Sequence, residues 1–218
     1  MQYNFDQIIE RRNTECLKWG VFAPDVIPMW VADMDFISPE PVIRALHERT
    51  DHGVFGYPYK TGDLSAAIVA WLADRFGWKT EAEWLVFLPG VVVGMNLTAQ
   101  ALVPAGMAVA CQTPVYPPFL SVGRIGGMET RTSPLCRDAN GRYTIDWEAF
   151  EASLDQCGMF LLCSPHNPVG RVWERSELER IAEICLRKNV LICSDEIHAD
   201  LVYAPNRHLP IAALDGAV

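Results

Sequence analysis

The sequence contains no C-x-x-C pair, no G-x-G-x-x-G and no G-x-x-x-x-G-K-[ST], and each absence removes a class of chemistry. Without thiols at ligand spacing, a zinc site or a dithiol shuttle has no support. Without the glycine fingerprints, dinucleotide and nucleoside-triphosphate binding lose theirs. Positive charge is scarce as well: 18 Lys and Arg stand against 27 Asp and Glu, a formal net charge of -9, which argues against a nucleic-acid partner. Residues 84–123 carry no charged side chain. Even so, Pro89, Asn96, Gln100, Pro104, Pro114, Pro117 and Pro118 break them before the ~20 apolar residues of a membrane span can accumulate. They read as buried helix and strand. The start, Met1 to Asp6, is polar and acidic where a secretory signal is basic and then apolar, so no export is expected.

Half of the 218 residues are hydrophobic and 21% are charged, which fits a folded chain with one large domain, or one domain and an arm. The partner expected is a small molecule, with neither nucleic acid nor membrane. The seven cysteines are scattered, several inside apolar runs such as Leu191-Ile192-Cys193, and this usage suits a reducing cytoplasm.

From Met1 to about Pro41 no period is evident, so an extended arm or part of a small domain is expected over residues 1–44. Helical spacing follows at 39–49 and 63–76 (Leu64, Ile68, Trp71, Leu72). Strands are then predicted at 84–88, 107–111, 129–133, 159–163 and 190–194, alternating with helices at 91–102, 119–123, 147–154 and 174–188. Apolar strands alternating with amphipathic helices imply an α/β fold, a mostly parallel sheet with helices on both faces. Residues 45–218 are assigned to this large domain, which is expected to be incomplete because the tail from Pro205 reads as a loop without a capping element.

Parallel sheets bind ligands beyond the carboxyl ends of their strands, and four such places carry suggestive residues. At Pro89-Gly90-Val91-Val92 a strand turns through glycine into a helix whose free N–H groups and dipole suit a phosphate, although such turns are common in α/β proteins. At Thr113-Pro114-Val115-Tyr116-Pro117-Pro118, a stiff loop presents a tyrosine that either stacks on a planar ligand or fills a core gap. The segments Ser164-Pro165-His166-Asn167-Pro168-Val169-Gly170 and Ser194-Asp195-Glu196-Ile197-His198 each end an apolar strand. One helix and one strand fit between Asn167 and Asp195, so a right-handed crossover sets both on one edge of the sheet. There an aspartate can pair with a protonated pyridine nitrogen while an asparagine amide donates to a ring hydroxylate.

Those last two segments resemble the fold-type I superfamily of pyridoxal-phosphate enzymes, the class I/II aminotransferases. Val31-Ala-Asp-Met-Asp-Phe36 after Pro28-Met-Trp30, with Pro89-Gly-Val-Val92 and Asp195-Glu-Ile-His-Ala-Asp-Leu201, resembles its cystalysin-like subgroup, the cystathionine β-lyases. The resemblance runs essentially from end to end and covers the N-terminal portion of such an enzyme. It implies Asp195 at the pyridine nitrogen, Asn167 near the ring hydroxyl, Tyr116 stacked on the ring, and the amides of Gly90, Val91 and Val92 on the phosphate. It also implies Tyr57 reaching the neighbouring subunit's phosphate in a homodimer, and His198 where ordinary aminotransferases carry a tyrosine, a substitution that favours the lyases.

The family further needs a lysine bonded to the cofactor, in a Ser-x-x-Lys segment after the aspartate, and a small domain with a carboxylate-gripping arginine. Lys18, Lys60, Lys79 and Lys188 all precede Asp195, so this chain by itself is expected to be inactive. The activity implied for the full-length protein is α,β-elimination from a cysteine-type amino acid such as cystathionine. Transamination is the near alternative, and a truncated, non-catalytic product is a third.

Overall fold

The computed structural model describes residues 3–214, and the chain divides into two units, Met1–Tyr59 and Lys60–Val218. Met1 and Gln2 of the polar start, and positions 215–218 of the tail, lie outside the described residues. The first unit holds a one-turn helix, α1 (Leu17–Gly20), and α2 (Glu40–His52), joined by irregular chain. Lacking an apolar period to bury, this unit is tied together by charge. Asp35 accepts hydrogen bonds from Lys18 Nζ (2.7 Å) and Trp19 Nε1 (2.8 Å) and pairs with Arg11, which also pairs with Asp33. These partners, Lys18 foremost, hold the Asp35 carboxyl far below the usual carboxylate range. The unit ends after Tyr59, beyond α2 and later than the change of sequence pattern near residue 45.

The second unit contains α3 (Gly62–Phe76), α4 (Val91–Leu102), β1 (Ala108–Thr113), α5 (Pro117–Gly126), β2 (Thr130–Pro134), a short hairpin of β3 (Cys136–Arg137) and β4 (Tyr143–Thr144), α6 (Trp147–Ser153), β5 (Cys157–Cys163), α7 (Arg175–Arg187) and β6 (Leu191–Asp195). The four longer strands form a parallel sheet in the order β2-β1-β5-β6. From β1 the chain steps outward through α5 to β2, returns past β1 to β5, and continues through α7 to β6, away from β1 in the direction opposite to the first step. Right-handed crossovers in opposite directions put α5 and α7 on opposite faces of the sheet. The core shows this division. Val109, Cys111, Met159 and Leu161 pack with Met95, Ala99, Phe119 and Val122. The alternate residues Ala108, Ala110, Phe160 and Leu162 pack with Phe150, Leu178, Ile181 and Cys185. This alternation is the two-residue period of a strand buried on both faces.

Two expectations are corrected. The run at 84–88 is not a strand: Ala82–Trp84 is a 3-10 turn, and the extended residues after it pair with no strand among the described residues, leaving Val86 78% exposed. Apolar, β-prone residues favour extended backbone, but a strand also requires a hydrogen-bonding neighbour. The tail is not a free loop either, since Ile211 and Leu214 are buried in the α7 side of the core. They stand three residues apart in and after the 3-10 turn Ile211–Ala213, a spacing that stacks side chains on one side.

The packing of α5 against the start of β2 is close at Gly123, where an added Cβ comes within 2.8 Å of the Met128 carbonyl oxygen and 2.9 Å of that of Glu129. Helix propensity alone favours alanine over glycine by about 1 kcal/mol. Backbone atoms cannot give way cheaply, so Gly123→Ala is expected to lower stability by about 1–3 kcal/mol in urea unfolding. A gain in stability would contradict the contact.

Candidate functional site

Strands β1, β5 and β6 run in the same direction, with Cys111 opposite Leu161 and Cys163 opposite Asp195, so their carboxyl ends share one edge. The strand order reverses between β1 and β5, and at such a reversal the two outgoing loops diverge and leave a crevice. Tyr116 belongs to the loop leaving β1, and Asn167 to the loop leaving β5. The two loops meet, because the Tyr116 N–H donates to the Asn167 carbonyl oxygen at 3.0 Å. Tyr116 stands at the N-cap of α5 and is 40% exposed, which sets aside the core-filling alternative.

Asp195 ends β6 and is only 7% exposed. Its carboxylate accepts the Ile197 N–H at 3.1 Å, and no cationic side chain hydrogen-bonds to it among the described residues. Burial pushes its pKa up from the ordinary aspartate value, opposed by the Ile197 hydrogen bond and by nearby His198. The neighbouring Glu196 is fully engaged. It accepts from Ser194 Oγ (2.9 Å) and the Ile211 N–H (3.1 Å), and it pairs with His208 Nε2 (2.9 Å). Glu196 therefore fastens the tail to the sheet edge, whereas the Asp195 carboxylate has one main-chain donor and no cationic hydrogen-bond partner among the described residues.

Asn167 donates its N–H to Cys163 Sγ at 3.3 Å. With His198, Leu201 and Tyr203 it lines a cavity of about 350 Å3. Asp195 and Tyr116 are not among the residues lining that cavity. At the turn before α4, Gly90 has φ +118 and its N–H is already donated to the Leu88 carbonyl oxygen at 2.8 Å. The donors left at this helix end are the amides of Val91, Val92 and Val93, and no side chain caps them. No atom lies within 4 Å of where a Gly90 Cβ would stand, so the approach to these amides is open. Tyr57 lies in the first unit, with its side chain fully exposed.

The lysines are placed elsewhere. Lys18 pairs with Asp35 in the first unit, Lys60 donates to the Ala82 carbonyl oxygen, Lys188 pairs with Asp155, and Lys79 is exposed after α3.

Several supporting residues were missed by sequence reasoning. Arg171, on the loop leaving β5, donates to the Tyr143 carbonyl oxygen, pairs with Glu177 and lies 4.6 Å from the Trp173 ring centroid. Trp173 in turn donates Nε1–H to the Cys163 carbonyl oxygen at 2.9 Å. The Glu174–Glu177 capping box at the start of α7 was a legible sign that this loop is anchored. Arg171→Met strands the partly buried Glu177 carboxylate and is expected to cost about 3 kcal/mol. Arg175→Met, in the exposed Arg175–Glu179 pair, is expected to cost less than about 0.5 kcal/mol. Equal urea midpoints for the two variants would contradict the anchoring role.

Residues 24–217 match the family described as aminotransferase class I and II. The chain is 41% identical to cystathionine beta-lyase PatB of Bacillus subtilis (strain 168), an alignment covering 97% of this chain and 56% of that protein. Among solved structures, a PLP-bound putative aminotransferase from Clostridium difficile 630 superposes with a TM-score of 0.93 at 40% identity, over 97% of this chain and 56% of the other. Cystalysin from Treponema denticola, which contains a pyridoxal 5'-phosphate cofactor, superposes with a TM-score of 0.91 at 32% identity, over 99% and 57%. The chain thus spans about half the length of the relatives it matches. With a parallel sheet whose strand order reverses between β1 and β5, and a family match over residues 24–217, the chain belongs to the class I and II aminotransferase family.

Proposed function

We propose that the whole protein containing this chain is a pyridoxal 5'-phosphate-dependent carbon–sulfur lyase. It takes a cysteine-type amino acid such as cystathionine and, by α,β-elimination followed by hydrolysis with one water, gives pyruvate, ammonia and a thiol. The observation that carries the cofactor is the buried Asp195 carboxylate, which has a single main-chain donor and no cationic partner among the described residues. A desolvated carboxylate of this kind is costly unless a positive group completes it, and a protonated pyridine nitrogen is such a group. The open turn at Gly90, with the Val91 and Val92 amides uncapped, has the donor chemistry for a phosphate.

When bound, the ring supplies an electron sink for the bond broken at the substrate α-carbon. In this reading Asp195 keeps the pyridine nitrogen protonated, the Asn167 amide donates to the ring oxygen, and Tyr116 lies against the ring. Gly90 gives the phosphate access to the Val91 and Val92 amides. His198, which lines the cavity beside Asn167, stands where ordinary aminotransferases carry a tyrosine, and Tyr57 serves the partner subunit of a homodimer. Residues 1–44 form the arm and part of the small domain, and residues 45–218 part of the cofactor domain. The lysine and the carboxylate-binding arginine come from outside this chain, which alone does not turn over. All seven cysteines are free thiols, in keeping with a cytoplasmic enzyme.

The resemblance to cystathionine beta-lyase PatB favours elimination. Transamination is the second reading, supported by the likeness to the putative aminotransferase of Clostridium difficile. Incubating the whole protein with cystathionine and pyridoxal 5'-phosphate distinguishes them. Elimination predicts stoichiometric thiol and pyruvate without an added keto acid, whereas a keto-acid requirement with no thiol released contradicts it.

Asp195→Asn separates function from stability. Loss of the charge at the ring nitrogen is expected to lower turnover by about a hundredfold or more. For the cofactor-free protein, the raised pKa of Asp195 means that the unfolded chain releases this proton first, near pH 3.9. Wild-type stability is therefore lost as pH rises from about 3.9 through the raised folded value. The variant is expected to gain on the wild type across that window and to remain more stable at neutral pH. Urea midpoints at pH 3.5 and 7 test this, and a variant less stable at both contradicts it.

A further inference from the structure

His166 is nearly fully buried, at 2% exposure, and no step of the proposed chemistry uses it. Its Nε2 lies 2.9 Å from the carbonyl oxygen of Pro114, an acceptor only, so Nε2 carries the proton in this contact. Its Nδ1 is buried and meets no partner among the described residues, and burial depresses the pKa of the ring. Both facts favour the neutral imidazole, because protonation would add a second buried N–H with no acceptor. The ring is also held from below and at its backbone. The ring meets Trp173 edge to face at 5.5 Å, while the His166 main-chain N–H donates to the Arg171 carbonyl oxygen at 2.8 Å and its main-chain carbonyl oxygen accepts from the Gly170 N–H at 2.9 Å.

Pro114 precedes Tyr116 by two residues, and His166 immediately precedes Asn167. The side-chain bond from His166 to Pro114 therefore joins the same two loops as the main-chain bond from Tyr116 to Asn167. We propose that His166 is a positioning residue: donating Nε2–H to the Pro114 carbonyl oxygen, it fixes the Tyr116 loop against the Asn167 loop and thereby sets the tyrosine for the cofactor ring. The loop-clamping part stands on the geometry alone, and the cofactor part rests on the proposed function above. His166 touches neither cofactor nor substrate; it acts through Tyr116 and Asn167.

The test compares His166→Phe and His166→Gln in the whole protein. Phenylalanine keeps an aromatic ring on Trp173 but has no donor; the glutamine amide nitrogen reaches a position like Nε2 and restores one. Hydrogen exchange, read by mass spectrometry on the peptide containing Tyr116, is measured without cofactor, and pyridoxal 5'-phosphate affinity is measured by titration. Loss of a hydrogen bond to a buried carbonyl is expected to speed exchange at Tyr116 about tenfold in His166→Phe. Affinity is expected to weaken about tenfold, the scale at which groups supporting a binding residue act. His166→Gln is expected to recover both to within about threefold. Unchanged exchange in His166→Phe overturns the clamp. Faster exchange with unchanged affinity overturns the positioning role, and failure of glutamine to recover a folded His166→Phe defect assigns the residue to packing alone. If His166→Phe does not fold, a His166→Gln protein exchanging and binding like wild type supports the proposal, and one that does neither overturns it. A wild type that binds no pyridoxal 5'-phosphate would refute the proposed function, while the exchange result still decides the clamp.

Discussion

The reversal of strand order between β1 and β5 is the constraint from which the rest of the site follows. Once β2 lies on one side of β1 and β5 on the other, right-handed crossovers must leave by opposite faces. The loops leaving β1 and β5 therefore touch at Tyr116 and Asn167 and then turn to opposite sides of the sheet, a geometry that favours a gap beside their contact. A gap of this kind in a close-packed sheet edge is open to a ligand without further design. The same wiring puts Cys163 opposite Asp195, so a residue just past β5 and the last residue of β6 serve one side of that gap. Chemistry then needs only the side chains at those positions.

Those side chains divide into groups that satisfy one another and a group that does not. Glu196 is surrounded by a hydroxyl, an imidazole and a main-chain N–H; Arg171 has Glu177, a carbonyl oxygen and an aromatic face. Both networks hold loops in place. Asp195, adjacent to Glu196, is buried with one N–H donor, an arrangement that disfavours its ionised form in the cofactor-free protein. A buried carboxylate with so few partners, beside carboxylates held in ion pairs, is what motivates the proposed cofactor contact.

The sheet was legible in the sequence because its strands are continuous apolar runs and its helices amphipathic, as at Cys157–Cys163 and Arg175–Arg187. That Asn167, Asp195 and Tyr116 stand at or shortly after the carboxyl ends of strands was legible, because each comes within a few residues of an apolar run. Pairing was not legible: the run at 84–88 has strand composition, yet nothing local records whether a neighbour lies beside it. The hairpin of β3 and β4 escaped notice because two-residue strands are too short to alternate, although Asp138-Ala-Asn-Gly141 marks its turn by accepting the Asn140 and Arg142 N–H groups at 2.8 and 2.9 Å. Long-range polar contacts such as Arg11 with Asp33 or His208 with Glu196 obey no period, so only coordinates reveal them. The role of Val31-Ala-Asp-Met-Asp-Phe36 shows the difference: the segment serves as a family resemblance in the sequence and as an anchor for Arg11, Lys18 and Trp19 in the fold.

The central claim is that Asp195, Asn167 and Tyr116 converge on one aromatic ring. A crystal structure of the whole protein with pyridoxal 5'-phosphate tests it directly. The account predicts an Asp195 carboxylate oxygen about 2.8 Å from the pyridine nitrogen, with the ring between the loops of Tyr116 and Asn167 and the phosphate on the Val91 and Val92 amides. A cofactor lodged elsewhere, with Asp195 facing only protein or water, would contradict it.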